Sequence, residues 1–115
     1  MRQPDIRYAS VGESKIAYSV AGKGPRDLVM TMGLGGHVEH VWDYPPMARY
    51  LESLTGFSRL IMFDRRGLGG SDPLPGGTPA TWETWMEDLV AVMDAAGSKR
   101  AAIYAELDGG PVGML

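Results

Sequence analysis

The sequence predicts an α/β fold: a β-hairpin followed by β-α-β-α-β, forming a mostly parallel sheet with helices on its faces. Three observations predict it. Two short runs rich in Ile, Val and Tyr open the chain on either side of a turn. Three later apolar runs, 28–32, 59–63 and 100–105, show no polar alternation, the pattern of strands covered on both faces. Two segments between those runs carry apolar residues at helical spacing.

In order, residues 5–11 and 15–21 read as the antiparallel hairpin, with "GES" as its turn. "GKGPRD" breaks the chain before the strand "LVMTM". In "PPMARYLESLTGF", Pro46 suits the first helical position, and Met47, Tyr50, Leu51 and Leu54 follow the i, i+3, i+4, i+7 rule. Gly56 is the expected stop. "RLIMF" is the next strand, and a Gly/Pro-rich loop follows from Ser71 to Pro79.

The strongest helix runs over about 81–96, with a stripe of Trp82, Trp85, Met86, Leu89, Val92, Met93 and Ala96. Glu83, Glu87 and Asp88 sit in its first turns, where the helix dipole favours negative charge, and Gly97 ends it. Thr84 with Glu87 also matches a capping box, an alternative start three residues later. "RAAIYA", from Arg100 to Ala105, is the third buried strand.

Size and composition set outer bounds. The 115 residues suit a single small domain, 1–115, which would bury roughly 65% of the unfolded chain's surface. A net charge of -3 argues against nucleic acid as the main partner. With no cysteine, disulfides, thiol nucleophiles and Cys-ligated zinc are excluded. The N-terminus lacks the apolar core of a signal peptide, and no apolar run approaches the ~20 residues that span a bilayer. A cytoplasmic protein without a membrane partner is expected.

Ligands of such sheets bind at the carboxyl ends of the parallel strands, which directs attention to "GLGGHVEH", "DRRGLGGSD" and "AELDGG". A dinucleotide fingerprint fails in the first two: Val38 and Asp72 stand where a third glycine is required. Gly22–Lys23 is followed by Gly24, so no P-loop exists. His37, Glu39 and His40 offer ligand-type side chains, but there is no further histidine and no assured common face. Neither a cofactor nor a metal is expected.

Residues 63–73, "FDRRGLGGSDP", resemble the Asp-x-Arg-Gly-x-Gly-x-Ser segment that follows the fourth strand of α/β-hydrolases. Asp64, Arg66, Gly67, Gly69 and Ser71 fall on its positions, and the order of elements resembles the first half of that fold. More narrowly, "GFSRLIMFDRRGLGGSD" with "DLVAVMDAAGSKRAAIY" resembles hydrolase-like domains that precede class III adenylate cyclase domains in bacterial proteins. The resemblance implies an N-terminal part of a hydrolase sheet, cut after the strand that leads to the nucleophile turn. It also implies a structural, loop-holding role for Asp64, Arg66, Gly67, Gly69 and Ser71.

That turn has the pattern small-x-nucleophile-x-small, and the acid and histidine follow it in the chain. Ala105, Gly109 and Gly110 meet the steric requirement, yet Leu107 fills the nucleophile position and has no atom able to attack a carbonyl. Both histidines precede the turn. The backbone N–H groups of Leu34 and Asp108 are the expected oxyanion-hole donors; Met32 stands where many relatives carry histidine. Asp108 as a shifted nucleophile would put the bulky Glu106 at the first small position.

The expectation is a catalytically incompetent hydrolase-like chain. Two alternatives stand beside it: an ester hydrolase or cyclase-fused protein completed beyond Leu115, and a pseudo-hydrolase that binds a small apolar ligand or ester. The strand from Arg100 to Ala105 is expected to be a sheet edge open to self-association or a partner chain.

Overall fold

The computed structural model describes residues 3–31, 37–67, 69–74, 76 and 81–105. The hairpin forms from β1 (Arg7–Val11) and β2 (Ser14–Ala21), paired antiparallel around Gly12, whose φ is 58°. Strand β3 (Arg26–Thr31), helix α1 (Pro45–Leu54) and strand β4 (Ser58–Phe63) follow, then helix α2 (Trp82–Ala95) and strand β5 (Ala101–Ala105). Among the described residues the strands make one sheet of order β1-β2-β4-β3-β5. Strands β3, β4 and β5 are parallel, and β2 joins β4 antiparallel. This is the expected α/β architecture, with every predicted strand and helix present.

The uniformly apolar central strands now have their reason. Alternate residues of β4 face opposite ways: Leu60 and Met62 pack with Met30, Val38 and Leu51 of α1, whereas Ile61 and Phe63 pack with Ile16, Val29 and the α2 residues Leu89 and Val92. Both faces are covered, so neither can be polar.

Four local expectations are corrected. Helix α1 begins at Pro45, one residue before the expected Pro46, and its C-cap is Thr55, so Gly56 stands just past its end as expected. Helix α2 is capped by Thr81, whose hydroxyl accepts from the Thr84 N–H, so the later start at Thr84 is not used. Its buried face is Thr84, Asp88, Leu89 and Val92, and Trp82 is 51% exposed. The run expected to be buried as β5 is half open: Ala102 and Ile103 are exposed because, among the described residues, β5 pairs only with β3.

Arg59 of β4 ties the far end of α2 to the sheet. Its guanidinium donates to both carboxylate oxygens of Asp27 at 2.7 and 2.9 Å, and to the carbonyl of Ala96 at 2.9 Å. The cation thus meets the negative end of the helix. The Arg59 hydrogen bond holds the Asp27 carboxyl below its ordinary value, with a further contribution from Ser98.

Candidate functional site at the carboxyl edge of the sheet

Parallel pairing brings three strand ends to one level. Thr31 of β3 is the register partner of both Phe63 of β4 and Ala105 of β5. The strands that precede the three glycine-containing segments singled out in the sequence therefore end at a single level.

The loop after β4 opens with three buried charged residues. Asp64, Arg65 and Arg66 are all buried, at 2%, 2% and 5% exposure. The backbone N–H of Val38 donates to both Asp64 carboxylate oxygens at 3.1 Å, and the N–H of Gly70 donates to one of them at 3.0 Å. Asp64 thereby fastens the segment after β3 to the segment after β4. Burial pushes its carboxyl above the ordinary value, while the N–H groups of Gly70 and Val38, and then His37, pull it back.

Gly67 and Gly69 have φ of 89° and 51°, the left-handed region. A side chain at Gly69 would also run into the Asp64 carboxyl group. The loop is then sewn onto β2. Ser71 accepts from the Ala17 N–H at 2.8 Å and donates to the Asp64 carbonyl. The Lys15 N–H donates to the Asp72 carboxylate at 2.8 Å, and the Asp72 N–H donates to the Lys15 carbonyl at 2.9 Å. Across the loop, the Gly67 N–H donates to the Asp72 carbonyl at 2.8 Å.

Arg66 turns the other way, into α2. Its backbone N–H and its Nε donate to the two oxygens of Asp88 at 2.8 and 2.7 Å, and a terminal nitrogen reaches the Thr84 carbonyl at 3.2 Å. Asp88 is fully buried, so this is an ion pair in the interior. Burial raises its carboxyl above the ordinary value, against the pull of Arg66. Arg65 lies over the Trp85 ring, 4.4 Å from its centroid.

Asp88 is the residue that sequence reasoning misplaced. It is the internal counter-ion of Arg66 rather than a surface charge answering the helix dipole. A signal was present: 85, 88, 89 and 92 follow i, i+3, i+4, i+7, which puts an aspartate in a core position.

His37 and His40 do meet, with ring centroids 4.3 Å apart, but Glu39 does not join them as a third ligand. The Nδ1 of His37 accepts from the N–H groups of Glu39 and His40 at 3.2 and 3.3 Å, closing a turn that leads into a 3-10 segment, His40–Asp43. His40 contacts Asp43 at 3.2 Å on the surface. Among the described residues no three His, Cys, Asp or Glu side chains are grouped to hold a metal ion. Met32, Leu34, Glu106, Leu107, Asp108, Gly109 and Gly110 lie outside the described residues, as does the side chain of Ala105.

What the edge can do chemically follows from this inventory. Asp64, Arg66 and Ser71 use their hydrogen bonds to tie the loop after β4 to the segment after β3, to α2 and to β2 respectively. Among the described residues no helix is long and apolar enough to cross a membrane.

No family model matches the chain, and no curated protein matches it in sequence. Solved structures do. A hydrolase from Pseudomonas aeruginosa PA01 matches with TM-score 0.75 and 28% identity over 95% of this chain and 39% of that one. The enol-lactonase of Burkholderia xenovorans LB400 matches with TM-score 0.76 and 26% identity over 93% and 39%. A proline iminopeptidase-related protein of Thermus thermophilus matches with TM-score 0.74 and 28% identity over 99% and 39%. The chain therefore spans about two fifths of the length of these neighbours.

Proposed function

We propose that this chain, which has the α/β-hydrolase fold, is a hydrolase-like scaffold that does not itself hydrolyse esters. The observation that carries the reading is Leu107 at the apex of Ala105-x-Leu107-x-Gly109, directly after the strand that pairs Ala105 with Thr31. The small residues a tight turn needs are present, and the atom that would attack a carbonyl is not. The backbone donors assigned to Leu34 and Asp108 belong to the same proposal.

The resemblance to domains that precede class III adenylate cyclases supports a sensing role, with a small apolar ligand or ester as the ligand we propose for the end of the sheet that carries Leu34 and Leu107 in the sequence. A cytoplasmic setting is part of that proposal. It rests on fold and sequence likeness, which speak to scaffold more than to chemistry.

The test is hydrolysis of p-nitrophenyl acetate and butyrate by the purified chain. The expected rate equals the protein-free background, and Leu107→Ser alone adds little, because a serine without a base keeps only the help of an oxyanion hole. Burst kinetics that disappear in Asp108→Asn would overturn the reading in favour of an aspartate nucleophile.

A further inference from the structure

The opposite edge of the sheet carries a separate feature. The register that pairs Asp27 with Ala101 leaves Arg26 and Arg100 at neighbouring positions one residue upstream, at the amino ends of β3 and β5. Both arginines are exposed, and both line a cleft of about 590 Å³ together with Pro25, Asp27, Ala101 and Ala102. Like charges side by side on adjacent strands repel. Among the described residues neither guanidinium has a carboxylate partner: the ion pairs there join Arg59 to Asp27, and Arg66 to Asp88 and Glu87, with His40 beside Asp43.

The one carboxylate in the cleft is already neutralised. Asp27 is held by both nitrogens of the Arg59 fork, and that hydrogen bond keeps it ionised and occupied rather than free to pair with Arg26. Two exposed lysines, Lys23 and Lys99, stand in the segments that lead into β3 and β5. A chain of net charge -3 thus gathers uncompensated positive charge at one end.

The geometry points to an anion site here, between Arg26 and Arg100, that takes a phosphate-bearing small molecule. Charge selects the class. Two arginines lining one cleft call for a dianion, and a phosphomonoester carries about -1.5 to -2 at pH 7, whereas a single carboxylate leaves one arginine unanswered. Shape agrees, since a tetrahedral phosphoryl group offers enough oxygens to accept from both planar forks. The cleft lies at the amino ends of the parallel strands, away from the loops discussed above, and the inference does not depend on whether those loops catalyse.

Calorimetric titration of the whole chain with inorganic pyrophosphate at low ionic strength and pH 7 tests it, with acetate as the monovalent comparison. Saturable one-site binding of pyrophosphate is expected, with acetate weaker by about tenfold or more. Arg26→Gln and Arg100→Gln should each weaken binding by about tenfold, the loss of charge-assisted hydrogen bonds. Arg49→Gln, an exposed arginine of α1, should leave it unchanged. Where a glutamine variant loses its far-ultraviolet circular dichroism, the lysine variant at that position replaces it, and it should bind with intermediate strength. Absence of saturable binding, equal loss in Arg49→Gln, or acetate binding as well as pyrophosphate would each overturn the proposal.

Discussion

Gly69 shows how narrowly one residue can be specified. Its φ of 51° disfavours any β-carbon by roughly 1–2 kcal/mol, and the added methyl group would meet the Asp64 carboxylate that fastens two loops together. Gly69→Ala is therefore expected to lower stability by more than the backbone term alone, about 2–4 kcal/mol, measured by urea unfolding. Gly67→Ala meets nothing within 4 Å and should cost only the backbone term. Equal losses at the two positions would contradict the role given to Asp64.

Asp88 makes a second case at this scale. Asp88→Asn strips the counter-ion from a buried arginine and should cost about 3–5 kcal/mol. The double variant Arg66→Met/Asp88→Leu removes both charges and should recover most of that loss. A double variant no more stable than the single one would show that the pair's hydrogen bonds to the loop outweigh the burial of charge.

Acid stability separates the aspartates by sign. Asp27 has a lowered folded-state value against an ordinary 3.8, so its contribution is present above that value and is lost as pH falls through the lowered one. Asp64 is raised, so it takes up a proton in the folded state first and opposes that loss on acidification. Asp27→Asn should thus cost about 1 kcal/mol at pH 7, as expected of a partly exposed pair. Its difference from the parent should shrink as the solution is taken below pH 3.8. A difference that stays constant through the acid range would contradict the ion-pair assignment.

Among the elements, β5 carries the sharpest expectation. One of its edges has no partner among the described residues, and Ile103 is 38% exposed on an uncharged stretch. We propose that this edge pairs with another chain, in the first instance a second copy. Sedimentation velocity should show association that grows with concentration and is suppressed by Ile103→Lys, a charge of the kind that blunts natural sheet edges. A monomer at every concentration, with amides of β5 strongly protected from exchange, would falsify this.

The elements also show what a linear reading can reach. Strands β3 and β4 were legible because coverage on both faces leaves an uninterrupted apolar run, and α2 because its period and its end glycine agree. For β5 the apolar run suggested burial that the strand lacks, although its place at a sheet edge was expected. An apolar run reports what a strand is suited to, while exposure depends on which neighbours are there. The Arg66–Asp88 pair was hidden for a related reason: its members are 22 positions apart, and only the packing of α2 on the sheet brings them together. Glycine spacing identified the loop after β4, but not that Ser71 and Asp72 bind it to β2.

For the molecule as a whole, the sheet order has a bearing on how the chain is made. Strand β3 has β4 and β5 as its neighbours, and both lie downstream of it in the chain. At a ribosomal rate of about 5–20 residues per second, roughly 4–15 s separate synthesis of Thr31 from that of Ala105, its partner in β5. Throughout that interval the side of β3 that receives β5 stays unpaired along a run of Leu, Val and Met. A chaperone waiting at the ribosomal exit would find its first binding stretch there, well before the hairpin that precedes it has any sheet to join.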